Sequence, residues 1–91
     1  MKVQWTNKGL SDVVRLHDFL KHANTSAAAR VVQALTRATG RLSEYPRIGE
    51  QLDQFTPREV RRLLIGRYEM RYEIRDAALY VLRIWYTRED R

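Results

Sequence analysis

Between Tyr68 and Tyr86 the chain spaces its apolar side chains in two different ways. Tyr68, Met70, Tyr72 and Ile74 alternate with Glu69, Arg71, Glu73 and Arg75. Successive strand side chains point to opposite faces, so this spacing predicts a strand with one buried face and one wet, charged face. After Asp76-Ala77-Ala78 the run Leu79–Tyr86 is apolar at nearly every position, with Arg83 its only charge, as for a more central strand. So short a link favours an antiparallel hairpin, because parallel strands need a crossover of about a dozen residues or more. The link has no Asn-Gly or Asp-Gly pair, which leaves its turn type open.

Upstream, Lys2–Thr6 alternates well enough for a short strand, with Val3 and Trp5 on one face. Asn7 offers a helix cap. From about Lys8 to His22, Leu10, Val13, Val14, Leu16, His17 and Leu20 fall within one arc of a helix. His17 sits in that arc and reads as a buried or half-buried structural histidine. His22 lies at the helix end, where a cation suits the dipole. Asn24-Thr25-Ser26 carries capping chemistry and opens a second helix. There Ala28, Val31, Leu35, Ala38, Leu42 and Tyr45 form a core-facing stripe, and Pro46 ends it. The two helices predict an antiparallel hairpin.

Residues 47–59 read as a connecting loop with room for a short turn of helix. Val60–Ile65 reads as a strand, with Arg61 and Arg62 entering it and Leu63, Leu64 and Ile65 buried. Gly66-Arg67 turns the chain into the hairpin, and Thr87–Arg91 reads as a charged, mobile end. The predicted fold is a single α+β domain spanning residues 1–91, in the order β-α-α-β-β-β. A three-stranded antiparallel meander and the N-terminal strand form a small sheet with the helical hairpin on one face. The first strand takes either an edge or a place beside a meander strand.

Composition narrows the function classes. At 91 residues, 44% hydrophobic and 31% charged, the chain suits one ordered globular domain with a modest core. No run of 18 apolar residues and no leader pattern is present, which argues against a membrane role and for the cytoplasm. The absence of cysteine removes disulfides and thiolate metal sites, and His17 and His22, five apart, make a poor metal pair. The four glycines are isolated, so no phosphate loop exists and no cofactor is expected.

The formal net charge is +6. Residues 1–57 hold eight basic against five acidic side chains and residues 58–91 nine against six, so no basic tail stands apart. Such an arginine-rich surface suits an acidic protein partner or a nucleic acid. Glu69 and Glu73, interleaved with Arg71 and Arg75, read as a solvated salt-bridge ladder rather than an acid/base pair. Arginines at 58, 61, 62, 67, 71, 75, 83 and 88 lie near Tyr68, Tyr72, Tyr80, Trp85 and Tyr86. Basic and aromatic groups so mixed can grip RNA. The plainer reading packs Tyr68, Tyr72 and Trp85 under the helices and leaves the arginines to solvate the outer face. Arg83 is the exception, since a lone charge in an apolar strand needs a partner or a reason for exposure.

Taken in order, these patterns resemble toxins of the RelE/ParE superfamily from bacterial type II toxin–antitoxin pairs. The resemblance rests on the aromatic N-terminal strand, the helical hairpin and the L-x-x-x-P-x-x-G segment (Leu42, Pro46, Gly49). It rests also on R-x-L at Arg62–Leu64, on Y-x-M-x-Y at Tyr68–Tyr72, and on V-L-R-I-W-Y-T-R at Val81–Arg88. It covers nearly the whole chain. The RelE-like branch implies a ribosome-dependent mRNA endoribonuclease. Here Arg61, Arg62, Arg71, Arg83 and Tyr86 would have to fill its roles, although arginine stays protonated and makes a poor base.

The ParE-like branch implies inhibition of DNA gyrase by binding, with no catalytic residue. It is the closer match through the Pro46/Gly49 segment and the Arg83-x-x-aromatic ending. Many relatives carry histidine where this chain has Tyr86. Both branches imply growth arrest and a cognate antitoxin whose acidic, amphipathic segment folds onto the toxin as a hetero-oligomer. Arg58, Arg67, Arg83, Tyr86 and Arg88 are the candidate contacts to target or antitoxin. A plain RNA-binding module is the remaining alternative; it predicts salt-dependent binding to bare RNA.

Overall fold

In the computed structural model, which describes residues 1–88, strand β1 (Lys2–Trp5) leads directly into helices α1 (Asn7–Ala23) and α2 (Thr25–Glu44). A two-residue strand β2 (Glu50–Gln51) and one 3-10 turn (Asp53–Phe55) then precede β3 (Glu59–Ile65), β4 (Tyr68–Arg75) and β5 (Ala78–Tyr86). The α+β class and the order of elements are as the sequence predicts. The strands form one sheet in the order β1-β5-β4-β3-β2. β1 lies at an edge, parallel to β5, and the other pairings are antiparallel. The last three positions of the charged end expected to be mobile lie outside the described residues. No helix among the described residues is long and apolar enough to cross a membrane.

Local chemistry sets the helix ends. Thr6, not Asn7, caps α1: its Oγ accepts from the Gly9 N–H at 3.0 Å. Asn24 serves both helices. Its N–H donates to Leu20 O and closes α1, while its Oδ1 accepts from the Ala27 N–H and opens α2. A single residue thus makes the whole connection of the hairpin.

The core lies between the hairpin and one sheet face, and joins Leu16, Leu35 and Leu42 to Met70, Tyr72, Ile74, Leu79, Val81 and Ile84. On α2 the predicted stripe holds at Ala28, Leu35, Ala38 and Leu42, but Tyr45, beyond the last helical residue, is exposed. On α1 the buried side is Gly9, Asp12 and Leu16, while Leu10 and Val14 are exposed. Gly9 explains this rotation. A Cβ there would stand 2.7 Å from Val81 O, so α1 approaches β5 along the glycine. His17 is half-buried, as read.

The apolar run of β5 has a specific cause. Arg71 pairs with Arg83 but the next residue, Tyr72, pairs with Val81, so Leu82 is an extra, bulged residue. The bulge moves the core-facing positions from Leu79 and Val81 to Ile84 and Tyr86. The β4–β5 turn has positive φ at both Asp76 (52°) and Ala77 (63°), the pattern of a type I′ turn. Leu64, read as buried, is exposed: it stands on the outer face, away from the core under the helices.

Candidate functional site

Where β1 ends at Trp5, α1 takes over the edge of β5 through side chains. The Thr6 hydroxyl donates to Val81 O at 2.9 Å, with Leu82 O also in reach at 3.1 Å. Asp12 accepts from the Ile84 N–H at 2.8 Å. Its carboxylate also takes two bonds from Arg83, at 2.8 and 3.2 Å. Burial would push the Asp12 carboxyl up, but the bonds from Arg83 and Ile84 and the charges of Arg83 and Arg15 hold it below its usual value. The lone charge of β5 is therefore paired. Its partner, an acid on a helix that reads as surface-facing, carried no sequence signal beyond its i, i+4 spacing to the buried Leu16.

The outer sheet face is not the wet ladder predicted. Glu69 and Glu73 are only 2% and 5% exposed. Arg71 lies against the rings of both Phe55 and Trp85, 5.5 and 4.8 Å from their centroids, and donates to Glu69 at 3.2 Å. Arg58 forks onto Glu73 at 2.9 and 3.0 Å, holding that carboxyl below its usual value against the opposing effect of burial. Arg62 pairs with Glu50 and lies 3.8 Å from Glu69. The salt bridges exist, but beneath a cover of arginine and aromatic side chains. Trp85 belongs to this outer layer rather than packing under the helices, whereas Tyr68 and Tyr72 do pack against the core.

At the far end of the core face, the Tyr72 hydroxyl donates to Pro46 O at 2.8 Å and accepts from the Gly49 N–H at 3.0 Å. Burial pushes its pKa up. The Pro-x-x-Gly segment is thus tied to the sheet from beneath. Beside it Glu59 receives Arg47 and Arg61, both at 2.9 Å.

An open groove of about 1020 Å³ lies between the hairpin and the β3–β4 turn. Leu16, Phe19 and Leu20 of α1, Val31 and Ala34 of α2, and Ile65 of β3 line it, with Arg15, Arg30 and Arg67 also on its wall. Phe19 is 74% exposed there. Tyr68 and Tyr86 close one end with ring centroids 5.5 Å apart, and a hydrogen bond with Tyr86 raises the pKa of Arg67. This groove was passed over in the sequence; Phe19, an aromatic outside the apolar arc of its helix, is the signal that could have found it.

The side chains a nuclease would need divide between the two faces of the sheet. Arg61 and Tyr86 stand with the core-facing positions of β3 and β5, by their pairing to Tyr72 and Tyr68. Arg62, Arg71 and Arg83 are cross-strand partners in a row on the opposite face, with Arg83 bonded to Asp12 at the α1 edge. Of the candidate contacts, Arg67 and Tyr86 meet at the groove. Arg58 is held by Glu73 and Arg83 by Asp12. Arg88 follows Thr87, whose N–H donates to Arg67 O at 2.8 Å. No group of acids and histidines able to hold a metal occurs among the described residues.

Residues 3–91 match the family model described as ParE toxin of type II toxin-antitoxin system, parDE. Toxin RelE2 of Caulobacter vibrioides is 31% identical over 83 residues, covering 91% of each chain. A solved structure described as the chromosomal ParDE TA system from P. aeruginosa superimposes with a TM-score of 0.78 at 20% identity. That match covers 94% of this chain and 95% of the other, and shows the shared fold. The chain belongs to the ParE toxin family: it is the toxin of a type II toxin–antitoxin system, with an antitoxin as its partner.

Proposed function

We propose that this ParE-family toxin acts in the cytoplasm by binding DNA gyrase and stalling it, with no reaction of its own. The observation that carries this reading is the commitment of Arg61, Arg62, Arg71 and Arg83 to carboxylates, with Tyr86 on the opposite sheet face from the cross-strand row Arg62, Arg71 and Arg83. General acid–base chemistry needs a base near neutral pKa within hydrogen-bond reach of the proton it takes. Permanently charged guanidiniums already committed to carboxylates do not offer that. A toxin so built acts through its surface.

The groove is where the antitoxin fits. An amphipathic segment would lay apolar side chains against Phe19, Leu20 and Val31 and set its acids beside Arg15, Arg30 and Arg67. The test is a pair of reactions run with one protein preparation. Inhibited gyrase supercoiling with intact ribosome-bound mRNA supports the reading. Cut mRNA with unaffected gyrase replaces it with the RelE-like activity that the relative's name suggests.

A further inference from the structure

The three arginines on the groove wall are not equivalent. Arg15 already leans on Asp12 at 3.6 Å and on Ile84 O at 3.4 Å. Arg30 is exposed on α2 and has no carboxylate within ion-pair distance among the described residues. Arg67 likewise has no carboxylate partner among the described residues, yet it is fixed in place. It is the second residue of the turn between Ile65 and Tyr68, where Gly66 has a φ of 59°, the pattern of a type II′ turn. Its carbonyl accepts from the Thr87 N–H at 2.8 Å, and its guanidinium donates to the Tyr86 hydroxyl. Two consecutive residues at the end of β5 thus hold both the backbone and the side chain of Arg67.

The Tyr86 ring packs in turn on Tyr68, with centroids 5.5 Å apart, and both rings line the groove. Ordering a long, flexible side chain weakens an interface, and Arg67 has lost part of that freedom before any partner arrives. One bond to Tyr86 leaves a guanidinium with donors enough to fork onto a carboxylate. A segment lying across Tyr68 and Tyr86 strips water from this charge. An acidic side chain at that point pairs it, whereas a neutral or basic one leaves it desolvated and unpaired. The site therefore penalises the wrong segment as well as favouring the right one.

We infer that Arg67, positioned by Tyr86, takes an acidic side chain of the antitoxin at the tyrosine end of the groove and so selects the cognate antitoxin over others. The inference rests on the groove being the antitoxin site, and the test separates the two. The full-length antitoxin of the same pair is titrated into full-length toxin variants by calorimetry. Phe19→Asp reports on the groove itself and should bind at least about thirtyfold more weakly. Arg67→Gln should cost about tenfold and Arg30→Gln less. Tyr86→Phe, which keeps the ring and removes only the hydroxyl, should cost about fivefold, and should cost nothing further in the Arg67→Gln background. Arg67→Glu should bind the wild-type antitoxin most weakly of the Arg67 variants and recover with an antitoxin in which one acidic residue is replaced by lysine. Unchanged thermal melts would establish that each variant is folded.

Full affinity of the Phe19→Asp variant moves the antitoxin off the groove and overturns both readings. A loss in Phe19→Asp with Arg67→Gln unchanged overturns this inference alone. So does a Tyr86→Phe effect that is just as large when Arg67 is already glutamine.

Discussion

Asp12 and Arg83 stand 71 positions apart in the chain and meet through two hydrogen bonds, while the same carboxylate caps the backbone N–H of Ile84. This contact lets a helix complete a sheet edge that β1 is too short to cover. Asp12→Ala leaves the Ile84 N–H without its acceptor and is expected to cost about 2 kcal/mol, measured by urea unfolding. Arg83→Ala should cost about 1 kcal/mol, since Arg83 is half-exposed and its pair is partly screened. The double variant should cost less than the two singles added together.

Glycines 40 and 49 should respond oppositely to the same change. A Cβ at Gly49 would stand 2.6 Å from both Arg62 O and the Tyr72 hydroxyl. Gly49→Ala must therefore displace backbone or break the Tyr72 tie, and a loss of about 2 kcal/mol is expected. Nothing lies within 4 Å of a Cβ at Gly40, inside α2, so Gly40→Ala should stabilise by about 1 kcal/mol. Melting temperatures of the two variants decide both.

Ala77 has a φ of 63°, a left-handed conformation that its Cβ disfavours. Ala77→Gly should raise stability by about 1 kcal/mol, and a fall would mean that the I′ turn is misassigned.

The elements were legible because their signals are local: period-two alternation in β4, the stripe of α2, and the proline and glycine after it. What was not legible depends on pairs distant in sequence. Glu69 and Glu73 look solvent-facing because alternation assigns them to the face opposite the core. Arg58 folds onto Glu73, and Arg62 and Arg71, the latter against Phe55 and Trp85, lie on Glu69. Leu82 looks like one more core residue because a bulge is a property of two strands together. Arg83 could be singled out by its isolation, but its partner Asp12 could not. The groove is likewise the product of five elements, α1, α2, β3, β4 and β5, brought together by the fold.

Acid should unfold the protein through Asp12, Glu59 and Glu73, whose carboxyls are all held below their usual values. A group with a depressed folded pKa contributes fully above its unfolded pKa, about 4 for these side chains, and loses that contribution as pH falls through the folded value. Melting temperature should therefore hold between about pH 5 and 7 and drop below about pH 4. Glu73→Gln should make the drop shallower, and an unchanged acid limb would remove Glu73 from this account.

The most direct test of action by binding is the stoichiometry of gyrase inhibition. Purified toxin is titrated into a supercoiling reaction at fixed gyrase concentration, with and without its antitoxin. The account predicts inhibition or trapped DNA cleavage that saturates near one toxin per gyrase site and is relieved by antitoxin. Supercoiling that continues unchanged at large molar excess of folded toxin would contradict it.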